Sequence, residues 1–330
     1  MANNKIVYID IAKALCIILV VVGHYTPDGC PSWWIYIHDL IYTFHMPLFM
    51  FASGFVYIAT KKEGQRYHDF IIKKVKRLMI PYIVTSAIII GIKLLTEAHM
   101  YVEHPKTAMS FVNMFYLPEA GYFLWFIWAL WWMFVIVPLF KTKKQRLILF
   151  ALSVIMHYVP FAVTEVFCLK EFKSMLIFFM FGVMAFDWKV KFCDLKRIPA
   201  VVYLVIFLMI ANFDYLNWSS GGYYLKLLLP YLGIAATISL SIMIENHGKN
   251  YKLLMTTSSS SYIIYLFHTT FEGFAKAIVL KMPYLKDVDN GIFFSIGALI
   301  VVTCGVVIPI ILNEVVFKKY RITKMLFGLK

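Results

Sequence analysis

Asp10, Lys13 and His24 share one otherwise apolar stretch, from Tyr8-Ile9-Asp10-Ile11-Ala12-Lys13 to Gly23-His24-Tyr25. At about 100° per residue, the step from Lys13 to His24 ends within about 20° of three full helical turns. The step from Asp10 to His24 ends within about 40° of four turns. One helix face therefore carries a carboxylate, an ammonium and an imidazole. Charges inside a membrane helix are costly and face a cavity or a partner. Imidazole is the side chain best tuned for proton transfer near neutral pH. His24 is thus a candidate base or nucleophile on a polar cleft that also holds Asp10 and Lys13. A plainer reading stands beside it: Asp10 and Lys13 pair at the cytoplasmic interface, and His24 caps the outer end.

Other stretches offer ligands for a substrate. The second apolar segment reads Tyr42-Thr43-Phe44-His45-Met46-Pro47-Leu48-Phe49 and continues to Ser53-Gly54-Phe55. Pro47 frees backbone groups, which is tolerated where they face a cavity or another helix. His45 is either a ligand or an interfacial imidazole, and Ser53-Gly54 is either polar lining or a close helix contact. Lys73-Lys74-Val75-Lys76-Arg77 puts four basic residues in five positions, ahead of Leu78-Met79-Ile80-Pro81-Tyr82. Such a cluster either anchors the chain at the cytoplasmic face or clamps phosphates. If it is helical, Lys74 and Arg77 share a face at i,i+3. Leu124-Trp125-Phe126-Ile127-Trp128 opens another apolar run, as belt aromatics or as substrate contacts. His268 ends Ser261-Tyr262-Ile263-Ile264-Tyr265-Leu266-Phe267-His268, as a packed imidazole or a site residue. The cysteines (Cys16, Cys30, Cys168, Cys193, Cys304) form no CxxC pair. Neither a zinc site nor a redox motif is indicated, and no metal is expected.

The elements that must position these groups are membrane helices. Of 330 residues, 61% are hydrophobic and only 15% charged, with a mean hydropathy of +0.75. A soluble domain is about half apolar and about a quarter charged, so a water-soluble fold is excluded. Ten segments are long enough to cross a bilayer as helices. They cover 8–25, 41–59, 78–96, 122–140, 147–163, 172–186, 198–213, 224–244, 262–280 and 291–317. The expected fold is all-α: a polytopic integral membrane protein with about ten transmembrane helices. With these spans, 23 of the 32 Lys and Arg fall in one alternating set of loops and 5 in the other. The basic set marks the cytoplasm and places both termini there. That alternation also accounts for the net charge of +14 without nucleic acid. The first segment carries Asp10 and Lys13 and lacks a cleavage pattern, so it reads as a retained anchor. Residues 1–330 are expected to form a single membrane-embedded domain with no appended soluble domain.

The ordered set of motifs resembles the acyltransferase-three family of bacterial membrane O-acyltransferases, and within it the fucose 4-O-acetylase-like branch. The likeness rests on Asp10 and Lys13 with His24, on Phe44-His45-Met46-Pro47-Leu48-Phe49 with Ser53-Gly54, and on Lys74-x-x-Arg77-Leu78 with Pro81-Tyr82. Leu124-Trp125-Phe126 and Tyr265-Leu266-Phe267-His268 extend it. The family usually has Arg at the position of Lys13, and often at that of Lys74. Lys keeps the charge there but loses the bidentate fork. The resemblance implies ten helices in the bacterial cytoplasmic (inner) membrane and acetyl-CoA, or another acyl-CoA, as donor. It also implies a hydroxyl of an envelope or exported polysaccharide sugar as acceptor. The implied catalytic set is His24 with Lys13, joined here by Asp10. Lys74, Arg77 and Lys13 are implied to hold the CoA. His45, Ser53, Trp125 and His268 are expected on the acceptor side. Partners would be acyl-CoA, a glycan or lipid-linked sugar, membrane lipids and a polysaccharide biosynthesis complex. Lys13 and His24 lie about 16 Å apart along an ideal helix. The pantetheine arm must therefore reach into the membrane, or the acyl group must be relayed. A ten-helix transporter or glycan flippase, or a non-catalytic scaffold, would share the topology without needing this combination of residues.

Overall fold

Long apolar runs satisfy their backbone groups within themselves, and each of the ten expected segments overlaps a helix among the described residues of the computed structural model. The structure describes residues 6–96, 105–188, 199–216, 227–247, 251–285 and 287–329. The basic positions Lys189, Lys191, Lys196, Arg197 and Lys249 lie outside the described residues. So does the first part of the outward loop 97–121.

The helices used below are α1 (Val7–His24), α2 (Ser32–Ala59), α3 (Tyr67–Lys74), α4 (Ile80–Thr96), α5 (Trp125–Ile136) and α6 (Lys143–Tyr158). They continue with α7 (Leu169–Asp187), α8 (Ala200–Leu216), α9 (Leu229–His247), α10 (Lys252–Val279), α11 (Gly291–Leu312) and α12 (Arg321–Leu326). No strand occurs among the described residues. Among the described residues, six helical stretches are long and apolar enough to cross a membrane: Val7–His24, Ser32–Ala59, Tyr67–Thr96, Tyr122–Leu139, Leu229–His247 and Gly291–Phe317. Among the remaining helices, α8 is apolar but shorter, and polar residues set α6 and α10 apart. α6 opens with Lys143, Lys144 and Arg146, and α10 carries the run Thr256 to Ser261 in its first half.

The chain divides into two compact units, Met1–Ser53 with Trp188–Ile311, and Gly54–Asp187 with Leu312–Lys330. In the first, α1 packs on α9 and α10, and α8 packs on α9. The α1 side chains Ile11, Ala12, Ala14, Cys16, Ile17 and Val21 are fully buried. The turn after α1 is closed by the Trp34 indole, which donates to the Tyr25 carbonyl at 2.6 Å. α2 starts nine residues before the expected segment and runs unbroken through Pro47. Proline costs one ladder bond there, and the local backbone is braced by Cys16, whose Sγ donates to the His45 carbonyl at 3.0 Å. Gly233 on α9 lets the Phe44 ring lie on the helix backbone; an added Cβ would stand 2.7 Å from Phe44 Cδ2.

In the second unit α7 packs on α5 and α6. A capping box of Thr142 and Gln145 starts α6. Arg146 then makes a buried fork to Asp187 at the end of α7, Nε to Oδ2 at 2.6 Å and Nη2 to Oδ1 at 2.8 Å. Tyr57, Phe70, Phe134 and Phe179 form an aromatic cluster.

Candidate functional site

α1 and α10 lie side by side and run in the same direction. Near their starts Ser258 Oγ donates to Asp10 Oδ1 at 3.4 Å. At the end of α1 the His24 ring lies 4.9 Å from that of His268. This parallel register keeps the two polar ends of α1 apart. Lys13 Nζ bonds Asp10 Oδ1 at 3.0 Å, so the i,i+3 pair forms at one end while the histidines gather at the other.

The histidine end is built by three helices. Tyr42 on α2 places its ring 6.3 Å from His24, 4.7 Å from His45 and 4.1 Å from His38. His45 Nδ1 lies 2.8 Å from the Ile41 carbonyl. His268 Nδ1 lies 2.8 Å from the Tyr265 carbonyl and 3.1 Å from that of Ile264. A carbonyl only accepts, so in both residues Nδ1 carries the hydrogen and Nε2 keeps the lone pair of the neutral ring. The backbone therefore fixes two imidazoles in the tautomer whose outer nitrogen can take a proton. His45 and His268 are buried. Among the described residues, no group of three His, Cys, Asp or Glu is arranged to hold a metal ion.

The basic cluster has a different setting, in the second unit. Residues Val75–Met79 form a π-helical turn between α3 and α4. A π-turn takes more residues than an α-turn, so Lys74 and Arg77 do not stack as an α-helical i,i+3 pair would. Lys74 Nζ sits 3.3 Å from the centre of the Phe134 ring and 5.3 Å from that of Phe70, as a cation over aromatic faces. Arg77 instead lines a cavity of about 390 Å³ with Lys73, Lys76, Lys324 and Asp69. Lys324 comes from α12, which the positional reading of the 73–77 cluster did not include. The chain after α12 turns at Gly328, whose φ is +63°. A Cβ there would stand 2.8 Å from Arg77 Cα.

Two further expected contacts resolve as follows. Ser53 lies eight residues along α2 from His45, and its neighbour Gly54 makes the close helix approach, against Phe179 on α7. Trp125 is half-buried and meets Phe126 edge-on. Trp128, one turn further, is the buried indole and lies 5.6 Å from the Tyr82 ring. The structure brings His24, His45 and His268 together, keeps Asp10 and Lys13 at the far end of α1, and adds Tyr42. The signal for Tyr42 was its place three residues before His45, one helical turn away.

The model of the acyltransferase-three family, described as an acyltransferase domain, matches residues 6–313. The chain belongs to this family. Its apolar helices make it a multi-pass membrane protein. It is similar to Nodulation protein NolL of Mesorhizobium japonicum (strain LMG 29417 / CECT 9101 / MAFF 303099), 25% identical over 155 residues, 43% of this chain and 38% of that protein. It is also similar to Nodulation protein NolL of Sinorhizobium fredii (strain NBRC 101917 / NGR234), 27% identical over 172 residues, 50% of this chain and 45% of that protein. The chain spans less than half the length of these relatives. No solved structure matches it.

Proposed function

We propose that the protein is an O-acyltransferase of the bacterial cytoplasmic membrane. It moves an acetyl or other short acyl group from acyl-CoA to a hydroxyl of an envelope or exported polysaccharide sugar. The observation that carries this reading is the meeting of His24 with His268 and Tyr42 at the end of α1. His24 is the base that takes the proton of the attacking hydroxyl, or the atom that carries the acyl group between donor and acceptor. His45 and His268 flank it on the acceptor side. Lys13, held by Asp10, takes part in binding the donor. The cations around Arg77 bind the phosphates of acyl-CoA, as clustered Lys and Arg do.

The alternation of basic loops supports ten spans with both termini in the cytoplasm. Residues 1–330 are read as a single membrane-embedded acyltransferase domain. Its acceptor is a glycan or lipid-linked sugar presented by a polysaccharide biosynthesis complex. No metal takes part.

Membranes carrying the protein, supplied with radiolabelled acetyl-CoA, test this reading. The parent should label the envelope glycan. His24→Ala should lower the rate by about 10²–10⁴-fold, the usual scale for losing a positioned proton carrier. Mass spectrometry of the glycan should show one acetyl mass per repeat only with the active protein. Undiminished labelling by His24→Ala would remove His24 from the chemistry. Glycan movement across the membrane without acetyl-CoA would favour a flippase.

A further inference from the structure

Glu272 stands one helical turn beyond His268 on α10. It is 5% exposed, and its Oε1 accepts no hydrogen bond among the described residues. Its position is held by the absence of a side chain on α11. A Cβ on Gly305 would stand 2.8 Å from Glu272 Cγ, 3.2 Å from Oε1 and 2.8 Å from Val21 Cγ1. Val21 precedes His24 by one turn on α1. On the α2 side, the Tyr42 ring faces His24 and His45. Glu272 is thus packed where α1 and α11 meet, one turn from His268, whose ring lies 4.9 Å from that of His24.

A buried carboxyl with an unused acceptor position is costly unless something supplies a donor or a positive charge. The base chemistry proposed for His24 creates such a charge on the ring that lies 4.9 Å from that of His268, one helical turn from Glu272. We propose that Glu272 is a positioning residue for the transfer, holding the negative charge that offsets the His24 imidazolium while it exists.

This inference rests on the reading of His24 as proton carrier. In that step the acceptor oxygen bonds to the acyl carbon and the carbon–sulfur bond of the thioester breaks. The hydroxyl proton passes to His24 and then to the departing thiolate, giving a free thiol and an ester. Glu272 gains and loses no proton over the cycle. Its carboxylate acts only through His24, as a fixed charge in a site poor in water.

The experiment uses the full chain in its membrane, with radiolabelled acetyl-CoA and the native envelope glycan. Glu272→Gln keeps the shape and removes the charge. It is expected to lower kcat by roughly 10²-fold, the scale of one preorganised electrostatic contact, with KM for acetyl-CoA unchanged. Glu272→Asp, which keeps the charge, should recover part of the loss. A merely structural role would not produce that split or that rescue. If Glu272→Gln fails to accumulate in the membrane, Gly305→Ala displaces the same side chain without changing its charge and should also lower kcat at constant KM. Parental kcat in Glu272→Gln, or in Gly305→Ala where that variant stands in, overturns the inference and leaves the transfer reading intact. A His24→Ala protein as active as the parent, or a parent that transfers no label, sinks the transfer reading and this inference with it.

Discussion

Gly54→Ala should loosen the second unit at the contact between α2 and α7. An added Cβ would overlap the Phe179 carbonyl oxygen and stand 2.8 Å from its carbon and 3.2 Å from Phe179 Cα. Carbon atoms rest about 3.5–4.0 Å apart, so the helices must separate by about 0.7 Å or more. The obstructing atoms are backbone, and no rotamer change relieves them. The displaced neighbours include Phe179, which also packs in the aromatic cluster with Tyr57 and Phe134. Overpacking of this kind costs about 1–3 kcal/mol, and the backbone location puts Gly54 at the upper end. Gly91 on α4 is the control, because a Cβ there meets nothing within 4 Å. Gly91→Ala should be neutral or gain up to about 1 kcal/mol from helix propensity. The assay is the thermal midpoint of detergent-solubilised protein, followed by size-exclusion profile. Equal midpoints for Gly54→Ala and the parent would refute the close-contact argument, and so would an equal fall for Gly91→Ala.

Asp187→Asn should destabilise by about 3–5 kcal/mol, because it leaves the Arg146 guanidinium buried without its anion; Arg146→Met with Asp187→Leu should recover much of the loss in the same thermal assay. Lys324→Ala, on the rim of the cavity with Arg77, should raise KM for acetyl-CoA roughly fivefold, about 1 kcal/mol for one charge contact. Its kcat should stay at the parental value, and the effect should shrink at high salt as screening grows. An unchanged KM would take α12 out of donor binding. Trp34→Phe keeps an aromatic ring against Phe294 but removes the 2.6 Å bond to the Tyr25 carbonyl. The expected cost is about 1 kcal/mol, read as a lower midpoint, and no change would mean that the bond does not fix the turn after α1.

Much of the architecture was open to reading because helix geometry is local. The angle between Asp10, Lys13 and His24 follows from residue spacing alone, and so does the helical state of each long apolar run. The family likeness also sat in short ordered motifs, and the match over residues 6–313 bears it out. Glu272 was missed although it lies four residues after His268, a spacing that puts two side chains on one helix face. A carboxylate in an apolar helix is a signal in its own right. The π-turn at Val75–Met79 had no such signal, since an α-helical sequence and one with a widened turn read alike.

The sequence by itself determined that this chain is helical and membrane-embedded, which way its charges alternate, and that one face of its first helix is polar. Those properties depend on composition and on neighbours a few residues away. Only the tertiary structure decided that His24 meets His268 rather than Lys13, that Tyr42 joins them, that Glu272 packs against the open face of Gly305, and that Arg77 shares a cavity with Lys324. These pairs lie far apart in the chain. They meet because of how helices pack, through the room left by Gly305, the widened turn before α4 and the parallel register of α1 and α10. Spacing along one segment carries no information about where another segment comes to rest against it.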